Sequence, residues 1–312
     1  MTDTYEALVS RAAVVDRSDR GSVRVTGRDA VSFTDSLVSQ DITTLGDGEG
    51  AHSLLLQPQG KLTADFRMLR IGAEELWLDT DEGFGAVLAG GLNRFKIRVQ
   101  VEVVDVSDDC GQLTVRGPDA ATVVSDALGV AVPTQQHAHV AWRGARVVRA
   151  DWPGSSGVDV VGPRHDVDDA MRALVDAGVG LAGEGALEVV RIEAGVVRQG
   201  FDVDETTIPQ EAFLERDAVS FTKGCFLGQE LVCRIDTRGH VNRSLRGLTL
   251  EGDVARGADV VVGEKVVGKV TSIARSPRRG VIALAMLRRE VEPGAAVSAA
   301  GVAAVVQDLP FP

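Results

Sequence analysis

The chain nearly repeats itself, and that repetition is what most restricts its possible folds. Residues 23–38 read VRVTGRDAVSFTDSLV and residues 113–128 read LTVRGPDAATVVSDAL. In each, a short β-rich run meets Gly-x-Asp-Ala and passes into a segment with helical spacing. Gly27 and Gly117, 90 positions apart, end the strands. Pro118 suits the first turn of a helix, and Asp29 and Asp119 favour its positive start. Phe33 and Leu37 continue one apolar face; Val124 and Leu128 continue the other.

The next elements come in matching order as well. SLLLQPQGKLTADFRMLRI predicts a hairpin turning at Gln57-Pro58-Gln59-Gly60, and HVAWRGARVVRA predicts one turning at Arg143-Gly144. Each is followed by a short strand, at Leu76-Trp77-Leu78 or Val158-Asp159-Val160-Val161, and by a helical segment near 83–93 or 166–177. Residues 1–180 therefore read as two strand–helix–hairpin–strand–helix units. Helices segregated onto mostly antiparallel sheets make an α+β fold close to the ferredoxin-like pattern. A further helix is expected in GALEVVRIEAGVVRQ, where Leu187, Val190, Ala194 and Val197 share helical spacing. The polar stretch FDVDETTIPQEAFLERDAVS then crosses as a loop. From about 244, short β-rich runs punctuated by Gly263-Glu264, Ser276-Pro277 and Pro293-Gly294 predict a small antiparallel barrel or sandwich. The expected domains are 1–110, 111–240 and 241–312.

With 45 acidic against 33 basic residues, the formal net charge is −12. Such a body argues against general nucleic-acid binding, which needs a basic surface. The start MTDTYEALVSR has neither the basic opening nor the apolar core of a signal peptide, and no apolar run approaches membrane-helix length. Three scattered cysteines make no disulfide framework. A reduced, cytoplasmic protein is expected. Arg234, Arg238, Arg243 and Arg246 gather within thirteen residues, and Lys269, Arg275, Arg278 and Arg279 form a second basic cluster. Each reads either as a local anion site or as a solvated face.

The stretch FTKGCFLGQELVCR, 221–234, sets Cys225 between two glycines with Lys223 two residues before it. A thiol reacts as thiolate, and a neighbouring ammonium lowers its pKa. Gly224 and Gly228 permit a sharp bend and close approach, and Gln229 and Glu230 offer an amide and a carboxylate. The competing reading is a small buried hydrophobe. Cys225 and Cys233 are eight apart, too far for the usual zinc pair, so no metal is assigned to this chain alone. A cluster held jointly with another protein's ligands stays open. In Arg191-Ile192-Glu193-Ala194-Gly195, the carboxylate of Glu193 either faces solvent or an arginine, or accepts two parallel hydrogen bonds from a planar donor edge such as a pterin presents.

KGCFLGQE resembles the signature Lys-Gly-Cys-(Tyr/Phe)-x-Gly-Gln-Glu of the YgfZ-like folate-binding proteins, relatives of the aminomethyltransferase (T-protein) of the glycine cleavage system. GRDAVSFTDSLVSQDITTL, LNRFKIRVQVEV, RIEAG and IPQEAFLERDAVSFTKGC resemble further segments of that family in the same order, over nearly the whole chain. The resemblance implies three domains in a ring around a hole that holds tetrahydrofolate. It implies that Glu193 holds the pterin edge and that Lys223 and Cys225 carry the family's function. That function is support of iron–sulfur protein maturation and, through it, of tRNA modification. Implied partners are folate and iron–sulfur assembly or client proteins. Direct tRNA contact through 234–246 is a weaker expectation, and no membrane partner is expected. Arg234 and Arg243 are alternatively expected to hold the anionic glutamyl tail of a folate. T-proteins carry Gly-Gly-x-x-Asp-Asp where this chain has Gly60-Lys61-Leu62-Thr63-Ala64-Asp65, so one acid, Asp65, survives beside the expected folate. The alternative is a folate-dependent aminomethyltransferase of the glycine cleavage system.

Overall fold

The structure, a computed structural model, describes residues 2–312. The repeated units are there, and each predicted element forms. A five-stranded sheet runs in the order Gly50–Leu56, Leu62–Gly72, Glu75–Thr80, Gly21–Thr26, Glu102–Asp105. A six-stranded sheet runs His139–Trp142, Ala145–Arg149, Gly157–Pro163, Cys110–Arg116, Ala13–Asp16, Gly180–Leu181. Position for position, the first five strands of the two sheets correspond. In both, a hairpin at one edge leads inward to the strand that ends in Gly-x-Asp-Ala.

The fifth place in each sheet is filled from the other unit. Ala13–Asp16 precedes the first unit in sequence but pairs with Cys110–Arg116 of the second sheet. Glu102–Asp105 precedes the second unit but pairs with Gly21–Thr26 of the first. This exchange explains the echoed glycines better than strand ending does. A Cβ on Gly27 would lie 2.2 Å from the carbonyl oxygen of Gln100, and one on Gly117 would lie 2.3 Å from that of Arg11. Gln100 and Arg11 each lead into an exchanged strand. The glycine φ values, +121° and +127°, also lie where a side chain is strained. Asp29 and Asp119 make no side-chain cap. Their backbone N–H groups donate to the same two carbonyls, Gln100 at 3.4 Å and Arg11 at 2.9 Å. The Asp29 carboxylate also accepts from the Gln100 N–H at 2.8 Å.

Helices cover one face of each sheet. Phe33, Leu88 and Leu92 pack on Val23, Val25, Met68 and Leu78; Val124, Leu128, Val167 and Leu174 pack on Val115, Val147, Val158 and Val160. Each such side chain stabilises by roughly 1.5–3 kcal/mol when fully buried. The opposite faces meet through Leu69, Val148 and Val161. The strand Cys110–Arg116 is consequently buried on both sides.

The C-terminal segment closes into a six-stranded antiparallel barrel, Arg243–Leu250, Gly280–Arg288, Lys265–Ser276, Asp259–Val262, Ala296–Ala299 and Val302–Gln307. The helix Glu184–Ala194 joins it to the sheets. Leu187 and Val190 pack beside Tyr5 and Leu8 against Leu245, Ile282 and Leu284 of the barrel. Arg191, buried, chelates Glu188 at 2.6 and 2.8 Å and donates to Asp202 at 2.8 Å and to Ser272 of the barrel at 2.7 Å. Asp202 in turn accepts from Ser272 at 2.7 Å, which fastens the loop after this helix to the barrel. The α+β expectation with a terminal barrel holds. No helix of the described residues is long and apolar enough to cross a membrane.

Candidate functional site

A cavity of about 880 Å³ lies where the two sheets, the helix Glu184–Ala194 and the segment after the barrel meet. That volume falls within the usual range for small-molecule sites. Its wall on the first sheet comes from the predicted hairpin. Asp65, on Leu62–Gly72, contacts Nε2 of His52, on Gly50–Leu56, through Oδ1. Burial alone would lower the His52 pKa, but the Asp65 carboxylate, with Asp217 and Asp79 behind it, raises it instead. Asp65 thus favours the protonated form of His52, and Oδ2 of Asp65 accepts no hydrogen bond among the described residues.

The far wall belongs to the second sheet, and a buried ionic network joins the two. Arg67 donates to Asp79 at 2.7 Å and to Asp159 at 2.8 Å, so one guanidinium links both sheets. Arg20 adds contacts to Asp79 at 3.3 Å and Asp81 at 2.5 Å. Thr114 and Gln112 donate to Asp159 at 2.9 and 3.2 Å. Burial would raise the Asp159 pKa, but Arg67 and Arg116 hold it below the ordinary carboxylate value. Arg116 lies over the Trp152 ring, 3.7 Å from its centre, and burial pulls its pKa down to about 10. None of Arg67, Arg116, Trp152 or Asp159 was expected from sequence. Asp159 was placed on the repeated strand, and Arg116 directly precedes the echoed Gly117, so the repeat was the available signal.

Of the expected site residues, Asp65 lines the cavity. Glu193 does not. Its carboxylate accepts from the Tyr5 hydroxyl at 2.9 and 3.0 Å and from Ser276 at 2.6 Å, facing the N-terminal helix and the barrel. Burial and this carboxylate push the Tyr5 pKa up to about 12. The helix's lining carboxylates are Glu184 and Glu188, and Glu188 is the one chelated by Arg191. Glu188 and Glu193 are five residues apart, about 140° around a helix, so they cannot share a face.

The motif at 223–230 lies off the cavity lining and sorts into anchors and one exposed thiol. The Lys223 ammonium is 2% exposed and caged. It donates to the carbonyls of Asp35 at 2.6 Å, Val38 at 3.0 Å and Gln40 at 2.9 Å, and to the Asp35 carboxylate at 3.0 Å. Its donors are spent on residues 35–40, and it makes no hydrogen bond to Cys225 among the described residues. Gly228, at φ +80°, would place a Cβ 2.4 Å from the Gln57 carbonyl, so it docks the helix Gln229–Arg238 against the first hairpin's turn. Gln229 accepts from the Phe226 N–H at 3.3 Å. Cys225 is exposed, as is Glu230, so the buried-hydrophobe reading of this thiol does not hold.

The arginines of 234–246 do not form one site. Arg234 and Arg238 lie on the helix Gln229–Arg238, away from the cavity lining. Arg243 donates to Glu211 at 2.9 Å, and Arg246 stacks near Phe213. The second basic cluster is a solvated, largely paired face: Lys269 with Asp259, Arg275 with Asp253, Arg278 with Glu6. Cys110 is buried, which pushes its thiol up to about 11. Among the described residues no group of three or more His, Cys, Asp or Glu is placed to hold a metal ion.

Residues 1–223 match the family model of the GCVT N-terminal domain, and residues 243–311 match that of the glycine cleavage T-protein C-terminal barrel domain. The chain is 31% identical over 307 residues to an aminomethyltransferase of Rubrobacter xylanophilus, covering 93% of this chain and 80% of the relative. It is 30% identical over 321 residues to an aminomethyltransferase of Thermus thermophilus, covering 100% of this chain and 90% of the relative. The crystal structure of the glycine cleavage system aminomethyltransferase T from Bartonella henselae shares the fold, with a TM-score of 0.89 at 23% identity over 99% of this chain and 89% of that one. With its N-terminal domain and its barrel both matched and in order, the chain belongs to the glycine cleavage T-protein family.

Proposed function

We propose that this protein binds a reduced folate, tetrahydrofolate or a one-carbon derivative, in the cavity between its sheets, and supports iron–sulfur protein maturation through Cys225. The observation that carries the first half is the cavity's donor set. Asp65 keeps one carboxylate oxygen free of protein donors among the described residues, which suits an N–H of the reduced pterin. The His52 ring and the Arg116 guanidinium supply hydrogen bonds to ring carbonyl and nitrogen acceptors, and Trp152 supplies an aromatic face. Bound there, the folate would supply one-carbon chemistry; the protein's own part is to orient the ring and exclude water. The second half rests on the exposed thiol. Lys223 and Gly228 have structural tasks, whereas Cys225 has none and faces outward, where a partner macromolecule meets it more readily than the bound folate does.

A second reading, aminomethyl transfer, is favoured by the names of the relatives. It relies on Asp65 as the surviving acid beside the folate amine. Two experiments divide the readings. Tetrahydrofolate titrated into the protein quenches Trp152 fluorescence, and Trp152→Phe removes that component; absence of any binding ends both readings. Cys225→Ser leaves folate affinity intact but lowers iron–sulfur enzyme activity in cells, whereas turnover of an aminomethylated lipoyl carrier by the purified protein selects the transferase.

A further inference from the structure

The loop between the helix Gly85–Asn93 and the exchanged strand Glu102–Asp105 carries a surface that the cavity does not use. It reads Arg94-Phe95-Lys96-Ile97-Arg98, so cations and large apolar side chains alternate, and all five are exposed. Ile97 is 73% exposed, the most of any large apolar side chain among the described residues, and Phe95 is 40% exposed. Both forfeit the stabilisation that burial brings. The loop is nonetheless tightly shaped. The Phe95 N–H donates to the Leu92 carbonyl at 3.0 Å, that of Lys96 to Asn93 at 3.2 Å, and that of Ile97 to Phe95 at 2.9 Å. Arg98 holds φ at +56°, which is uncommon for a residue with a side chain. The Asn93 side chain ties the start of the loop to the Val103 carbonyl at 3.1 Å, and Val99 packs its end onto the first unit's core.

The three cations have no counter-charge. Arg94, Lys96 and Arg98 make no ion pair among the described residues. On a chain with 45 acidic against 33 basic residues, this is a local positive spot with two apolar anchors at its centre. An apolar centre inside a charged rim is the arrangement of a protein interface, and its complement is an apolar recess rimmed by carboxylates. A nucleic acid fits less well, because Ile97 offers its bases no stacking and the acidic body repels its backbone. An anionic bilayer meets the same repulsion, and two apolar side chains bury too little area to hold a neutral one. The loop also shares a face with the exposed thiol. Leu227, two residues after Cys225, packs on the same core as Leu92 and Val99.

We propose that residues 94–98 are a docking tip for a protein presenting an apolar recess rimmed by carboxylates. Resting on the reading proposed for Cys225, that protein is one of the iron–sulfur or cluster-assembly proteins that the thiol serves. The test places p-benzoylphenylalanine at position 95 of the full chain in cells, followed by irradiation. The expected adduct is with an iron–sulfur or cluster-assembly protein, and its yield falls about tenfold when Arg94→Glu and Lys96→Glu are combined, the fold-change of about one interfacial anchor. In parallel, Phe95→Ser with Ile97→Ser keeps the denaturation midpoint and the folate affinity but lowers iron–sulfur enzyme activity in cells. The tip is overturned by no adduct, by an adduct only with a second copy of this chain, with RNA or with unrelated proteins, or by a yield indifferent to the charge reversals. Co-sedimentation with phosphatidylcholine–phosphatidylglycerol vesicles that Phe95→Ser abolishes overturns it in favour of a membrane. If Cys225→Ser lowers the cellular activity and the loop variant does not, the tip falls and the reading of Cys225 stands. If neither lowers it, both fall.

Discussion

Lys223→Met tests most directly whether the lysine of the KGC motif is an anchor or an activator. The ammonium is 2% exposed and donates to three backbone carbonyls and the Asp35 carboxylate, all within 35–40. Methionine fills the space but leaves those acceptors facing hydrocarbon. Removing one partner of a buried ion pair costs about 3–5 kcal/mol. Asp35 is 21% exposed and regains some water, so the lower end, about 3 kcal/mol, is expected. With an m-value of about 3 kcal/mol/M in urea, the midpoint falls by about 1 M. Hydrogen exchange quickens first in 35–42, since the Ile42 N–H donates to the Asp35 carboxylate at 3.0 Å. Cys225→Ser, at an exposed position, shifts stability by less than about 0.5 kcal/mol. The alkylation rate of Cys225 in the folded Lys223→Met protein stays near wild type. A midpoint unchanged in Lys223→Met, together with slowed alkylation, refutes the anchor and restores the activator.

Three other outcomes are expected. Gly117→Ala drives a methyl into the Arg11 carbonyl at 2.3 Å and strains φ, so it destabilises by about 2–4 kcal/mol in chemical denaturation; a loss under about 1 kcal/mol contradicts the account of strand exchange. His139, buried and donating through Nε2 to the Arg70 carbonyl at 3.1 Å, has its pKa lowered to about 4 by burial. The unfolded chain binds that proton more readily, so up to about 3 kcal/mol present above about pH 6.5 is lost as pH falls to about 4; His139→Gln flattens that limb of the stability–pH curve, and an unaltered slope argues against it. Asp65→Asn removes the main charge opposing burial at His52, leaving only Asp217 and Asp79, so its imidazole titration, followed by NMR, moves to lower pH; no movement means the two are not coupled.

Much of the architecture could be read from residue order. Periodicity marked the helices at Ala120–Leu128 and Glu184–Ala194, turn residues marked both hairpins, and the run of short strands after 244 marked the barrel. These signals are local: side-chain spacing and turn chemistry act within a few residues. The echo itself pointed to a duplicated unit, and the family resemblance pointed to Asp65.

Contacts between distant segments were not legible. Strand pairing runs through main-chain hydrogen bonds that any residue can make, so nothing in Ala13–Asp16 or Glu102–Asp105 announces that each belongs to the other unit's sheet. Glu188 and Glu193 are equally good carboxylates on one helix; rotation about its axis, fixed by the packing of Leu187 and Val190, gave the cavity to Glu188. Lys223 sits two residues from Cys225 in the chain, yet its ammonium answers to four oxygens contributed by residues 35–40. Sequence by itself determined which elements form and which polar groups were available. Tertiary structure alone decided where those groups point, because a buried charge goes to whatever acceptors the fold brings within 3.0 Å, however far along the chain they lie.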